Sequence, residues 1–215
     1  MPTPIQRLFG IAGSAGHAFR QCLIAPACMI AAMSCAQTDT TLVLIRHGEK
    51  PINGLGQLSC TGLNRSLALP GVLMRKFGRP DALYAPNPGV PKRDQGVPYN
   101  YIRPLATIEP TAIQVGLPVN TQWGLDELDA LQAELQQPAH EGQVQVVAWE
   151  HNVLVQLARR LMAQNHGDAE AVPPWDGQDF DSIYVIKLHA GAAAEFRLEH
   201  QGLTQLASSC PGVAP

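Results

Sequence analysis

Two stretches constrain this chain more than any other feature: residues 41–46 (TLVLIR) and 143–149 (QVQVVAW). The first is a β-branched, apolar run without polar alternation, so a strand made from it must be covered on both faces. The second predicts another strong strand. Between and beyond them the apolar period switches to that of helices. Residues 59–77 carry Leu63, Leu67, Val72, Leu73 and Phe77 at helical spacing, with Ser59 or Thr61 as the cap. Residues 102–115 form a second predicted helix with Pro104 in its first turn, where a missing N–H costs little. Residues 125–135 and 153–163 give two more, the last with Arg159 and Arg160 on its outer face. Short strands are expected at 81–85 and 117–120. The segment 86–98 reads as a Pro/Gly-rich loop. Residues 182–188 and 193–198 flank Gly191 as a terminal hairpin.

Strands alternating with helices predict a three-layer α/β/α sandwich with a mostly parallel central sheet and a C-terminal antiparallel hairpin. The chain has 215 residues and shows no repeat, low-complexity tract or linker. Residues 37–215 are therefore read as one domain. In such sheets ligands bind at the carboxyl ends of the strands.

The first 36 residues differ from the rest. They hold Arg7 and Arg20 but no Asp or Glu, run almost wholly apolar from Cys22 to Met33, and end in Ser34-Cys35-Ala36. That is the pattern of a secretory signal, which predicts a periplasmic or secreted protein. The apolar run is shorter than the roughly 20 residues of a membrane span. Cleavage after Ala36 would release a soluble chain. Ala32-Met33-Ser34-Cys35 loosely resembles a bacterial lipobox, so lipidation at Cys35 is the other exit and the one route to a membrane. Removing two Arg and no acid takes the formal net charge from −3 to −5. Neither value favours nucleic acid, so an anion site must be built locally. Cys60 and Cys210 remain, either bridged or as free thiols.

The chemistry-bearing residues fall at strand ends. Arg46-His47-Gly48-Glu49 follows the first strand. His151 follows the strand that ends at Trp149-Glu150. Arg103 opens the second helix, a favourable place for an anion. Asn53 sits in the loop after the first motif, as a phosphate contact or simply as the turn residue before Gly54. Two imidazoles, two guanidiniums and an amide could surround one phosphoryl group. His47 would attack in line, while Arg46, Arg103 and His151 would neutralise the equatorial oxygens. A carboxylic acid would then protonate the leaving oxygen and activate water. Arg65 reads as structural, on the exposed side of the first helix. Asp176, Asp179 and Asp181 read as a solvated loop, with no His or Cys at ligand spacing to make a metal site.

The ordered set resembles the histidine phosphatase superfamily, which includes the cofactor-dependent phosphoglycerate mutases. LVLIRHGEK is similar to that family's signature, LSCTGLNRS to the element after it, and WEHNVL to the segment with the second His. The resemblance runs from Thr41 to about Leu188. It implies His47 as nucleophile, with Arg46, Asn53, Arg103 and His151 on the phosphate. Arg103 in YIRPLATIEPTA resembles the second pocket Arg, with Arg93 as its rival. The proton donor would lie between the second Arg and the second His. That implies Glu127, beside Asp126, with Glu150 as the alternative. The implied activity is hydrolysis of a small-molecule or peptide phosphomonoester, without metal or organic cofactor. A phosphomutase and a phospho-ligand-binding protein of the same fold are the alternatives. Oligomeric state is not legible in the sequence.

Overall fold

The computed structural model describes residues 39–212. The signal-like segment, with Cys22, Cys28 and Cys35, lies outside the described residues.

The two constraining runs become β1 (Thr40–Arg46) and β6 (Val144–Trp149), parallel neighbours at the centre of a six-stranded sheet. The strand order is β5-β2-β6-β1-β7-β8. β2 (Ala82–Tyr84) and β5 (Val119–Asn120) extend the parallel half. β7 (Ser182–Leu188) and β8 (Glu195–His200) form the antiparallel edge hairpin.

Side chains alternate across a strand, so β1 and β6 each feed two cores. Val43, Ile45, Val146 and Ala148 pack with Leu69 and Leu73 of α1 (Cys60–Phe77) and with Ile108 and Ala112 of α2 (Arg103–Val115). Leu42, Leu44, Val147 and Trp149 pack with Leu131 and Leu135 of α3 (Leu128–Leu135) and with Leu154, Leu157 and Leu161 of α4 (His151–Gln164). The result is the expected three-layer sandwich. Ser59 caps α1, its side chain accepting from the Gly62 N–H, and Gly78 ends the helix at φ 79°.

Three departures matter for the site. Residues 86–98 are not a plain loop. They contain most of a hairpin, β3 (Pro91–Asp94) and β4 (Val97–Asn100), turned at Gln95 and Gly96 with φ of 48° and 84°. Positive φ at both turn residues matches the right-handed twist of a two-residue hairpin. Its strands, PKRD and VPYN, carry no apolar alternation, so period-two reading passes over them. The predicted helix at 125–135 starts later, at Leu128, because Gly124 and Glu127 spend the preceding residues on a turn.

The third departure is Arg65, which is buried, not exposed, at 4%. Its Nη2 and Nε donate to Glu49 at 2.7 and 3.0 Å, and further donations go to Gln201 Oε1 and the Leu203 carbonyl. Those partners satisfy the charge that burial would otherwise penalise. The residue is structural as expected, tying α1 to the β1 loop and to the chain beyond β8. A Cys60–Cys210 disulfide with a Cα–Cα distance of 4.5 Å fastens the same C-terminal segment to the start of α1.

Candidate active site

Register decides which residues meet. Arg46 of β1 lies opposite Trp149 of β6, and the His47 N–H donates to the Trp149 carbonyl at 3.0 Å. His47 and Glu150-His151 therefore leave the sheet side by side. Gly48 then passes α1 so closely that a Cβ there would lie 3.0 Å from the Gly62 backbone. The Gly48 N–H donates to Thr107 Oγ1, whose hydroxyl donates to the Arg103 carbonyl. One short chain of bonds thus fixes the first motif to the first turn of α2.

His47 is 3% exposed. Its Nδ1 lies 2.8 Å from the Gly48 carbonyl, which can only accept, so Nδ1 carries the proton. Nε2 is then the unprotonated nitrogen. Burial is the main force on the ring and pushes its pKa down. The Gly48 carbonyl opposes this, Arg103 and Arg46 push it further down, and the net result is about 3. The imidazole is neutral across the physiological range.

A pH prediction follows. The unfolded ring binds a proton near pH 6.5 and the folded ring not until about pH 3, so the unfolded state holds more protons between them. This contribution to stability is complete above pH 6.5 and shrinks as pH falls toward 3. Its slope is about 1.4 kcal/mol per pH unit at most. Urea unfolding at intervals between pH 7 and 4 should therefore lose stability more steeply in the wild type than in His47→Gln. Equal slopes would contradict a buried, neutral His47.

Two buried guanidiniums flank the ring. Arg46 donates through Nη1 to the Gly177 and Asp179 carbonyls at 2.8 and 2.9 Å, and its Cζ sits 4.0 Å from the centre of the Phe180 ring. Arg103 makes a bidentate pair with Asp94, at 2.6 and 3.1 Å, and a further bond to the Gly54 carbonyl. Asp94 also accepts from the Gly56 N–H at 3.0 Å. The Arg103 bond is the main reason its carboxyl is held at about 2. The Nε of each arginine is buried without a partner, as is the Tyr101 hydroxyl. Buried donors normally find acceptors, so these guanidiniums could still take an anion as partner. The Tyr101 ring is the common neighbour, 5.9 Å from the His47 ring, edge to face, and 4.8 Å from Arg103 Cζ.

His151 opens α4, with Nδ1 2.7 Å from Glu150 Oε1, close enough to pair but off the line of a hydrogen bond. Glu150 is the N-cap of that helix, its Oε2 accepting from the Val153 N–H at 3.0 Å. Burial raises its pKa, but His151, the Val153 N–H and Lys92 outweigh this and hold it at about 2. Arg46, Arg103 and Glu150 thus all act on His47, and His151 pairs with Glu150 at the neighbouring strand end.

The other sequence candidates, Glu127, Asp126, Asn53 and Arg93, are exposed and make none of these contacts. Glu127 is exposed, and its Oε2 accepts from the Gly124 N–H at 2.5 Å. Its loop is tied to the sheet by Trp149 Nε1, which donates to the Leu125 carbonyl. Asp126 is exposed beside it. Asn53 is exposed in a turn where Gly54 N–H donates to the Pro51 carbonyl. Arg93 is exposed and donates to the Gly96 carbonyl. The aspartates after Pro174 shape their loop: Asp179 Oδ1 accepts from the Asp181 and Ser182 N–H groups. No group of three metal-ligating side chains occurs among the described residues.

Asp94, Tyr101 and Phe180 were not legible as site residues. Asp94 and Tyr101 belong to the hairpin or its exit, and Phe180 to the loop before β7. The only signal was the Gln95-Gly96 turn pair.

No family model matches the sequence, and no curated protein matches it. Solved structures do. A Plasmodium falciparum phosphoglycerate mutase superposes with a TM-score of 0.52 at 13% identity, covering 79% of this chain and 95% of that one. The Nakamurella multipartitia protein named as a phosphohistidine phosphatase, SixA, gives 0.51 at 18%, covering 75% and 96%. The chain shares its fold with these two structures. At such identities the likeness is one of architecture. In this chain the shared fold sets His47 after β1 and His151 after β6, its parallel neighbour.

Proposed function

We propose that the chain is an exported phosphohydrolase that removes phosphate from phosphomonoesters through a phosphohistidine on His47. The observation that carries this reading is a buried, neutral imidazole with a free Nε2, set between two buried guanidiniums whose Nε–H groups have no partner.

The Nε2 lone pair attacks phosphorus, the bond to the leaving oxygen breaks, and that oxygen takes a proton. Water then attacks the phosphohistidine, the N–P bond breaks, and phosphate leaves. Arg46, Arg103 and His151 offset the charge on the phosphoryl oxygens, the principal demand of this chemistry. Glu150 pairs with His151 and acts on His47 from further off, whereas Glu127 is spent on its own turn. We assign the proton work to Glu150. A bound phosphoryl dianion next to it disfavours its charge, draws a proton onto it, and so supplies the leaving oxygen. Export rests on residues 1–36, and the Cys60–Cys210 bridge is in keeping with an oxidising compartment.

A second reading is phospho-ligand binding without turnover. It is favoured by Glu150, which is ionised before substrate arrives. Hydrolysis of p-nitrophenyl phosphate separates the two. Release of p-nitrophenol and phosphate in equal amounts is expected. Saturable binding of inorganic phosphate with no release of p-nitrophenol would favour the binding protein.

A further inference from the structure

The β3–β4 hairpin brings a third cation to the site. Lys92 is half-buried, and its Nζ lies 5.0 Å from the centre of the Tyr101 ring. That ring also borders His47 and Arg103. No carboxylate lies within ion-pairing distance of Lys92 among the described residues, although Glu150, Asp94 and Asp126 all act on it from further off. Burial also pushes its pKa down, as expected of an ammonium drawn toward the interior without a partner.

Counting charge shows why this matters. Asp94 matches the charge of Arg103, bond for bond. Glu150 stands against Arg46 and the two imidazoles. Leaving the two imidazoles aside, Arg46 and Arg103 are balanced by Asp94 and Glu150. A phosphate monoester brings two negative charges into this group. Lys92 adds a cation that no carboxylate pairs with among the described residues.

Resting on the phosphohydrolase reading, we infer that Lys92 is a substrate-binding residue, its ammonium moving onto the phosphoryl oxygens or the bridging oxygen of the ester when substrate binds. A flexible stem over an aromatic face is a holding position that gives little resistance to that move. The hairpin is then a specificity element, which selects for a dianionic group beneath Tyr101.

The test compares wild type, Lys92→Met and Lys92→Arg, with Lys76→Met as a surface control. Lys76 pairs with Glu199 on the far edge of the sheet. Two quantities are read: the inhibition constant of inorganic phosphate and the KM and kcat for p-nitrophenyl phosphate. Losing one charge-assisted contact should weaken phosphate about tenfold or more in Lys92→Met. Lys92→Arg should recover most of it, Lys76→Met should match wild type, and all should melt alike. Unchanged phosphate inhibition in Lys92→Met, with wild-type turnover intact, would overturn the role of Lys92 alone. A wild type that neither binds phosphate nor turns over would overturn the reading of the site and this inference with it.

Discussion

His47→Ala loses roughly four to six orders of magnitude in kcat/KM for p-nitrophenyl phosphate, the range seen when a covalent nucleophile is removed. Arg46, Arg103 and His151 remain in this variant and can still hold phosphate, so the loss falls on kcat while phosphate inhibition persists. His151→Ala costs less, because it removes charge stabilisation and leaves the attacking atom. Equal, small losses in both variants would mean that His47 Nε2 forms no bond to phosphorus. His47→Gln serves as a second variant, since its amide can keep the bond to the Gly48 carbonyl.

Asp94→Ala is expected to be the most destabilising single change around the site. Asp94 is 7% exposed and Arg103 2%. Removing the carboxylate leaves a buried guanidinium without its bidentate partner and the Gly56 N–H without its acceptor. Breaking one side of a buried pair costs about 3–5 kcal/mol. For a domain of this size that lowers Tm by roughly 6–20 °C. The double variant Asp94→Ala/Arg103→Met should recover part of the loss, because no buried charge is left unpaired. Thermal and urea unfolding of the three variants measures this. A single variant as stable as wild type would mean that solvent already reaches Arg103.

These expectations show where sequence reading reaches and where it stops. β1 and β6 were legible because an apolar run covered on both faces has few alternatives. The start of α1 was legible to within Ser59 or Thr61, because a cap rests on local backbone chemistry. The hairpin was hidden, since PKRD and VPYN hold no apolar pattern and Pro counts against a strand. Asp94 was hidden for a further reason. Its partner is nine residues away across a turn, and nothing local distinguishes it from a solvated loop acid. Arg65 was misplaced because burial of an arginine depends on partners, here Glu49 and Gln201, that meet only once the chain has folded. The proton on Nδ1 of His47 follows from a carbonyl one residue away, yet only the backbone turn at Gly48 aims that carbonyl at the ring.

The most direct test is to quench the protein during turnover of 32P-labelled substrate and to map the label. One phosphoryl group on His47, labile in acid and stable in alkali and absent from His47→Ala, is the predicted result. Turnover with no labelled protein at any quench time, or label on a different residue, would contradict it.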